Sequence, residues 1–125
     1  MKIAVSAMGP GPDAILARHF GRCACFVVYD MDDKTYSNLL TMAKRRVGVG
    51  IRAAKGLVGS GVRVVVAGNI GPNAYRILEA AGVMCYTGVS GTVRDCVEAY
   101  GQGRLRAVNS ATALPYAGIK KAGQG

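Results

Sequence analysis

The sequence predicts an α/β fold built on one mixed sheet of five strands, and three observations lead to that fold class. Half of the 125 residues are apolar, which suits one globular domain with a single core. Residues 62–67 form a nearly continuous β-branched run, as is typical of a central strand buried on both faces. Several stretches with apolar residues at helical spacing end at glycine.

Strand-like segments dominate the first forty residues. Residues 2–7 have strong β character and predict the first strand, and residues 8–18 predict a loop. Residues 23–29 and 35–40 predict the second and third strands, and the polar turn at residues 30–34 joins them into a hairpin.

Helices alternate with strands in the second part of the chain. Residues 51–58 and 72–81 have helical apolar spacing, and the strand at 62–67 lies between them. Residues 83–86 predict a fifth strand, and Thr92 begins a third helix. The predicted order is therefore β-β-β-α-β-α-β-α, which implies a mixed sheet covered by helices.

The predicted helices and strands all fall within the first 104 residues, which predicts one domain followed by a tail. Residues 1–104 hold the whole α/β pattern, and residues 105–125 predict a loose C-terminal tail. The apolar start is too short for a secretory signal, and no run approaches the ~20 apolar residues of a membrane span. We therefore predict a cytoplasmic protein that does not cross a membrane.

The charge and the cysteines restrict the partners. The net charge is +9, and the stretch from Lys34 to Leu78 has eight basic residues and no acidic one. Such a balance favours an anionic partner: nucleic acid, phosphate or a metal–sulfur species. For any single Lys or Arg, a solvated surface role is the alternative. The four cysteines have no zinc-type CxxC spacing, so we expect free thiols.

Residues 18–26 gather the groups best suited to bind a metal or an anion. They include His19, which is the one histidine of the chain, together with Arg22 and Cys23. Two cysteines separated by one residue in an extended strand lie about 6.5 Å apart. Both could bind one metal ion only if the chain there is not extended. Cys85 and Cys96 are expected to be inert core thiols.

Three motifs resemble the dinitrogenase iron–molybdenum cofactor-binding family. They are Asp13 with His19-Phe20-Gly21-Arg22 and Phe26, residues 65–74, and residues 80–88 with Thr92-Val93. The family includes nitrogenase cofactor carriers and a small protein that holds a molybdenum–copper sulfide cluster. The resemblance implies a three-layer RNase H-like fold for residues 1–104. It also implies non-enzymatic binding, storage or delivery of an anionic metal–sulfur cofactor, either an iron–molybdenum precursor or a molybdenum–copper sulfide. An acidic partner protein or the cofactor-assembly machinery would receive it.

If the fold is as implied, three loops meet at one edge of the sheet, namely residues 19–22, 69–71 and 87–91. Two of these loops open helices, whose first N–H groups we expect to be unpaired and to attract an anion. His19 and Cys23 are the candidate metal ligands. The residues predicted to bind the cofactor are His19, Gly21, Arg22, Cys23, Asn69, Gly71, Asn73, Ser90 and Gly91.

Structural roles for these residues stay open. His19 could cap the sheet or hydrogen-bond the nearby backbone. Gly68 and Gly71 could serve solely to form the strand-to-helix turn, with Asn69 capping the helix. The basic connection at residues 41–50 lacks the histidine that many relatives carry. We predict that this connection is mobile and that it either closes over an anionic ligand or docks on an acidic partner.

Other functions fit the residues less well. A two-metal nuclease needs clustered carboxylates, and the strands at residues 62–67 and 83–86 carry no acidic residue. A Cys–His thiol enzyme would rest on His19 and Cys23 alone. The remaining alternative is an RNA-binding or regulatory small α/β domain. The charge favours it, but no Trp is present and both Phe are expected in the core, so nucleic acid is not the expected partner.

Overall fold

The computed structural model describes residues 1–20, 23, 25–40, 49–87 and 91–108. Each helix and strand of the predicted order is present, and one strand follows the last helix. In chain order the elements are β1 (Lys2–Ala7), β2 (Cys25–Asp30), β3 (Thr35–Leu40), α1 (Val49–Gly59), β4 (Val62–Val66), α2 (Pro72–Ala80), β5 (Met84–Thr87), α3 (Val93–Gly101) and β6 (Arg106–Val108).

Within these described ranges the strands form one sheet in the order β3-β2-β1-β4-β5-β6. β1 pairs antiparallel with β2 and parallel with β4, and β4 pairs parallel with β5. The sheet is therefore mixed, as the sequence predicted. The carboxyl ends of β1, β4 and β5 therefore lie at one edge, together with the start of β2.

The predicted number of five strands was wrong, because β6 adds a sixth. β6 pairs antiparallel with β5 and places Val108 opposite Cys85. A run of three residues has too little alternation to be recognised as a strand, and the hydrogen bonds offered by β5 are what make it one. Residues 106–108 thus do not belong to a loose tail. For residues 109–125, which lie outside the described ranges, the loose tail stays a prediction.

Some boundaries differ from the predicted ones. β2 begins at Cys25 rather than at Cys23, and β5 ends at Thr87 rather than one residue earlier. α1 begins two residues before the predicted start. Most of the predicted mobile connection, residues 41–48, lies outside the described residues.

Helices cover both faces of the sheet. On one face α1 and α2 contribute Ala54, Leu57, Ala74 and Leu78 to a buried core. On the other face α3 packs its own buried residues against β1, β2 and β4. This confirms the three layers, while the RNase H-like label stays a prediction. No helix in the described residues is long and apolar enough to span a bilayer.

Candidate functional site

The segment of residues 15–20 crosses the carboxyl edge of the sheet. It forms a bridge between Leu16 and Ala7 at the end of β1, and the Ala17 N–H donates to the Ser6 carbonyl oxygen at 2.8 Å. A parallel bridge then joins His19 to Asn69, which follows β4. The structure thus brings together two of the loops that the sequence predicted to converge.

His19 is held against Asn69 by backbone contacts. The Phe20 N–H donates to the Asn69 carbonyl oxygen at 2.9 Å, and the Phe20 side chain is buried in the core. His19 and Asn69 themselves are half-buried, so both can meet a ligand from solvent. The backbone position of His19 is therefore set by the core residue that follows it.

Gly68 permits this close approach. A Cβ at position 68 would collide with the Arg18 carbonyl oxygen and would lie 2.9 Å from the Arg18 Cα. The Thr87 hydroxyl donates to the Gly68 carbonyl oxygen at 2.7 Å, which ties the ends of β4 and β5 together. Gly68 thus has a structural role in placing His19.

The start of α2 lies directly after this loop. Its N-cap is Gly71, which offers no side-chain hydrogen bond, and Pro72 at the first helical position has no N–H. Asn69 therefore does not cap the helix, contrary to the structural alternative drawn from the sequence. A Cβ at Gly71 would meet nothing within 4 Å, and Asn73 in the first turn is exposed. α2 thus begins without a side-chain cap in an open position.

The start of α3 is different, because its N–H groups are occupied. The Thr92 and Asp95 side chains form a capping box, in which the Asp95 carboxylate accepts from the Thr92 N–H at 3.0 Å. This hydrogen bond lowers the pKa of Asp95. The next two amides, of Val93 and Arg94, each donate to a carbonyl oxygen of the 12–14 loop at 2.8 Å. The prediction that both helices expose unpaired amides was therefore wrong for α3.

The absence of a side chain at Gly91 leaves room for the Asp95 carboxylate of this capping box. The φ of Gly91 is 99°, and a Cβ there would lie 2.5 Å from an Asp95 carboxylate oxygen. Its own carbonyl oxygen accepts from the Leu16 N–H at 2.9 Å. These contacts give Gly91 a structural role, and contact with a cofactor stays a prediction.

The two cysteines of the Cys-x-Cys pair do not face a common point. Cys23 packs with the core under α1 and α2, whereas Cys25 packs on the α3 face and its Sγ lies 3.0 Å from the Gly9 carbonyl oxygen. Burial raises the pKa of Cys23 to about 12. Metal binding requires the thiolate, so burial opposes the predicted role of Cys23 as a ligand. That role stays a prediction.

The other two thiols are buried, and three of the predicted site residues lie outside the described ranges. Cys85 and Cys96 are buried, as expected of core thiols. Gly21, Arg22 and Ser90 lie outside the described residues. In the part of the chain that the structure describes, no three His, Cys, Asp or Glu side chains gather to hold a metal ion. The described side chains alone thus form no closed metal site.

One cation at this edge, Arg106, was not among the site residues predicted from the sequence. Arg106 on β6 lies opposite Thr87, at the same edge as the His19 loop. It was assigned to the tail, and the basic character of residues 104–106 was the only signal that could have pointed to it.

A protein-family model matches most of the chain. The model of the dinitrogenase iron-molybdenum cofactor family matches residues 1–103. The chain belongs to this family. Membership confirms the resemblance carried by the three motifs and indicates a cofactor-binding or carrier role. The RNA-binding alternative is not favoured.

Similar structures and sequences agree with membership in the iron-molybdenum cofactor family. The apo form of the orange protein from Desulfovibrio gigas has a TM-score of 0.84 and 34% identity, over 88% of this chain and 94% of that chain. A putative NifB protein from Thermotoga has a TM-score of 0.80 and 26% identity, over 98% of each chain. An uncharacterized protein of Methanocaldococcus jannaschii is 28% identical over 109 residues, which are 84% of this chain and 89% of the relative.

Proposed function

We propose that this protein binds an anionic metal–sulfur cofactor and stores or delivers it without catalysing a reaction. The observation that carries the proposal is the fixed position of His19 beside the Asn69 loop, at the uncapped start of α2. An imidazole can supply one bond to an outer metal of a cluster. The helix start and the glycine-rich backbone suit the negative charge of its sulfides.

The arrangement supports a carrier rather than a resident metal centre. The described residues offer His19 and backbone groups, not a set of three or four side-chain ligands. A cargo held by one coordinate bond and many weak polar contacts can leave without the unfolding of its site. An iron–molybdenum precursor or a molybdenum–copper sulfide cluster would fit this mode, and the cofactor-assembly machinery would be the partner.

Purification under anaerobic conditions tests the function. The protein is produced in cells supplied with molybdenum, iron, copper and sulfide, and is then analysed for colour, metals and acid-labile sulfide. We expect a coloured protein with a constant ratio of metal to chain, and the analysis would name the metals. An unrelated basic protein of similar size, purified in parallel, controls for metal held by charge alone. Background metal in every preparation, and also after reconstitution in vitro, would refute the proposal.

A further inference from the structure

Arg106 is the charged residue at the carboxyl edge that the family match does not cover. It lies on β6, beyond residues 1–103 of the matched region, and its side chain is exposed. In the antiparallel pair of β5 and β6 it is directly opposite Thr87. Side chains at directly opposite positions share one face of the sheet, with Cβ atoms about 5 Å apart.

The register decides which face this is. Val108 is opposite Cys85, and both pack into the core that lies under α1 and α2. Residues two positions apart in a strand point to the same side, so Thr87 and Arg106 face the α2 side of the sheet. The Thr87 hydroxyl agrees with this placement, since it donates to the carbonyl oxygen of Gly68 in the loop that leads to α2.

Gly68, Thr87 and Arg106 thus form a row across three neighbouring strand ends, on the face where α2 begins. His19 flanks the Asn69 loop on the β1 side, and Arg106 lies on the β5–β6 side. Among the described residues, no carboxylate forms an ion pair with Arg106. We propose that Arg106 binds the anionic cargo directly, on the side of the edge opposite His19.

The chemistry of the guanidinium fits a sulfide-rich anion. It is always charged, offers five N–H donors in one plane and is more weakly hydrated than an ammonium group. Charge-assisted hydrogen bonds to an anion are roughly twice as strong as neutral ones. A Lys at the same position would keep the charge but lose the planar set of donors. This inference rests on the proposed function, because it concerns the same site.

The test uses tetrathiomolybdate as a probe, titrated anaerobically into the full-length chain and followed by its absorbance. Arg106→Gln should weaken binding about tenfold and make it less sensitive to salt. Arg106→Lys should lie between the wild type and Arg106→Gln. Arg63→Gln is the matched control: it removes one exposed Arg from β4 at the opposite edge of the sheet and should change the affinity less than about twofold.

Equal affinities for Arg106→Gln and Arg63→Gln would overturn the assignment of Arg106 and leave the proposed function standing. Thermal unfolding without the probe should be the same for both variants, since both side chains are exposed. If the wild type binds neither tetrathiomolybdate nor any cluster formed during purification, the proposed function and this inference both fail.

Discussion

At the scale of the residue, His19 is the side chain whose placement matters most. It is half-buried, and the parallel bridge with Asn69 fixes its backbone. We predict that His19→Ala weakens cofactor binding by about tenfold, or ~1.4 kcal/mol, without abolishing it. The metal-centred absorption should also change, because one coordinate bond is lost.

Cys23→Ser is the companion variant for this measurement. Since Cys23 is buried and burial raises its pKa to about 12, the substitution should lower stability while leaving the absorption spectrum unchanged. Loss of binding in Cys23→Ser with no effect of His19→Ala would show that the thiolate is the anchor. Unchanged affinity and spectrum in both variants would mean that neither the imidazole nor the thiol bonds the cofactor.

At the scale of the element, the loop between β4 and α2 offers two glycines with different surroundings. Gly68→Ala would press a Cβ against the Arg18 backbone, which cannot move without displacing His19. We expect a loss of roughly 1–3 kcal/mol in the free energy of unfolding, together with weaker cofactor binding. Urea denaturation and anaerobic titration measure the two effects.

Gly71→Ala is the matched control in the same loop. Its added methyl group meets no atom within 4 Å, and its φ of −72° suits any residue, so stability should hardly change. Weaker binding in this stable variant would show that the cofactor approaches the backbone closely at the start of α2. If Gly68→Ala is as stable as the wild type, the close packing against Arg18 does not constrain the loop.

At the scale of the whole molecule, the buried thiols link stability to pH. Burial raises the pKa values of Cys23 and Cys96 to about 12 and that of Cys85 to about 11, from an ordinary value of 9.0. Well below pH 9 these thiols are protonated in both the folded and the unfolded chain, so they add no pH dependence there. Above pH 9 the unfolded chain releases these protons while the folded chain keeps them.

The free energy of unfolding should therefore fall as the pH rises above 9, by at most ~1.4 kcal/mol per pH unit for each thiol. Urea denaturation at pH 7.5, 9 and 10 measures this slope. Cys96→Ala removes one of the three groups and should make the slope shallower, although it lowers stability at every pH. The same slope in that variant and in the wild type would show that the thiols are not its source.

Local patterns in the sequence were enough to predict the order of the helices and strands from β1 to α3. Alternation, helical spacing and glycine stops are properties of neighbouring residues, so the segments from β1 to α3 could be predicted with boundaries wrong by one or two residues. The convergence of the His19 and Asn69 loops at one edge was implied by the family resemblance, because in that fold the carboxyl ends of the parallel strands share an edge with the start of an antiparallel neighbour.

Other features of the molecule depend on contacts between segments that are distant in the chain. β6 exists because β5 offers an open edge, and that pairing brings Arg106 to the carboxyl edge of the sheet. The first amides of α3 donate to carbonyl oxygens of residues 12–14, which lie about eighty positions away in the chain, whereas α2 begins without a side-chain cap. Cys23 and Cys25 face opposite cores because the strand begins only at Cys25. Such outcomes depend on which neighbour satisfies a hydrogen bond or buries a side chain, and no local pattern in the chain encodes that choice.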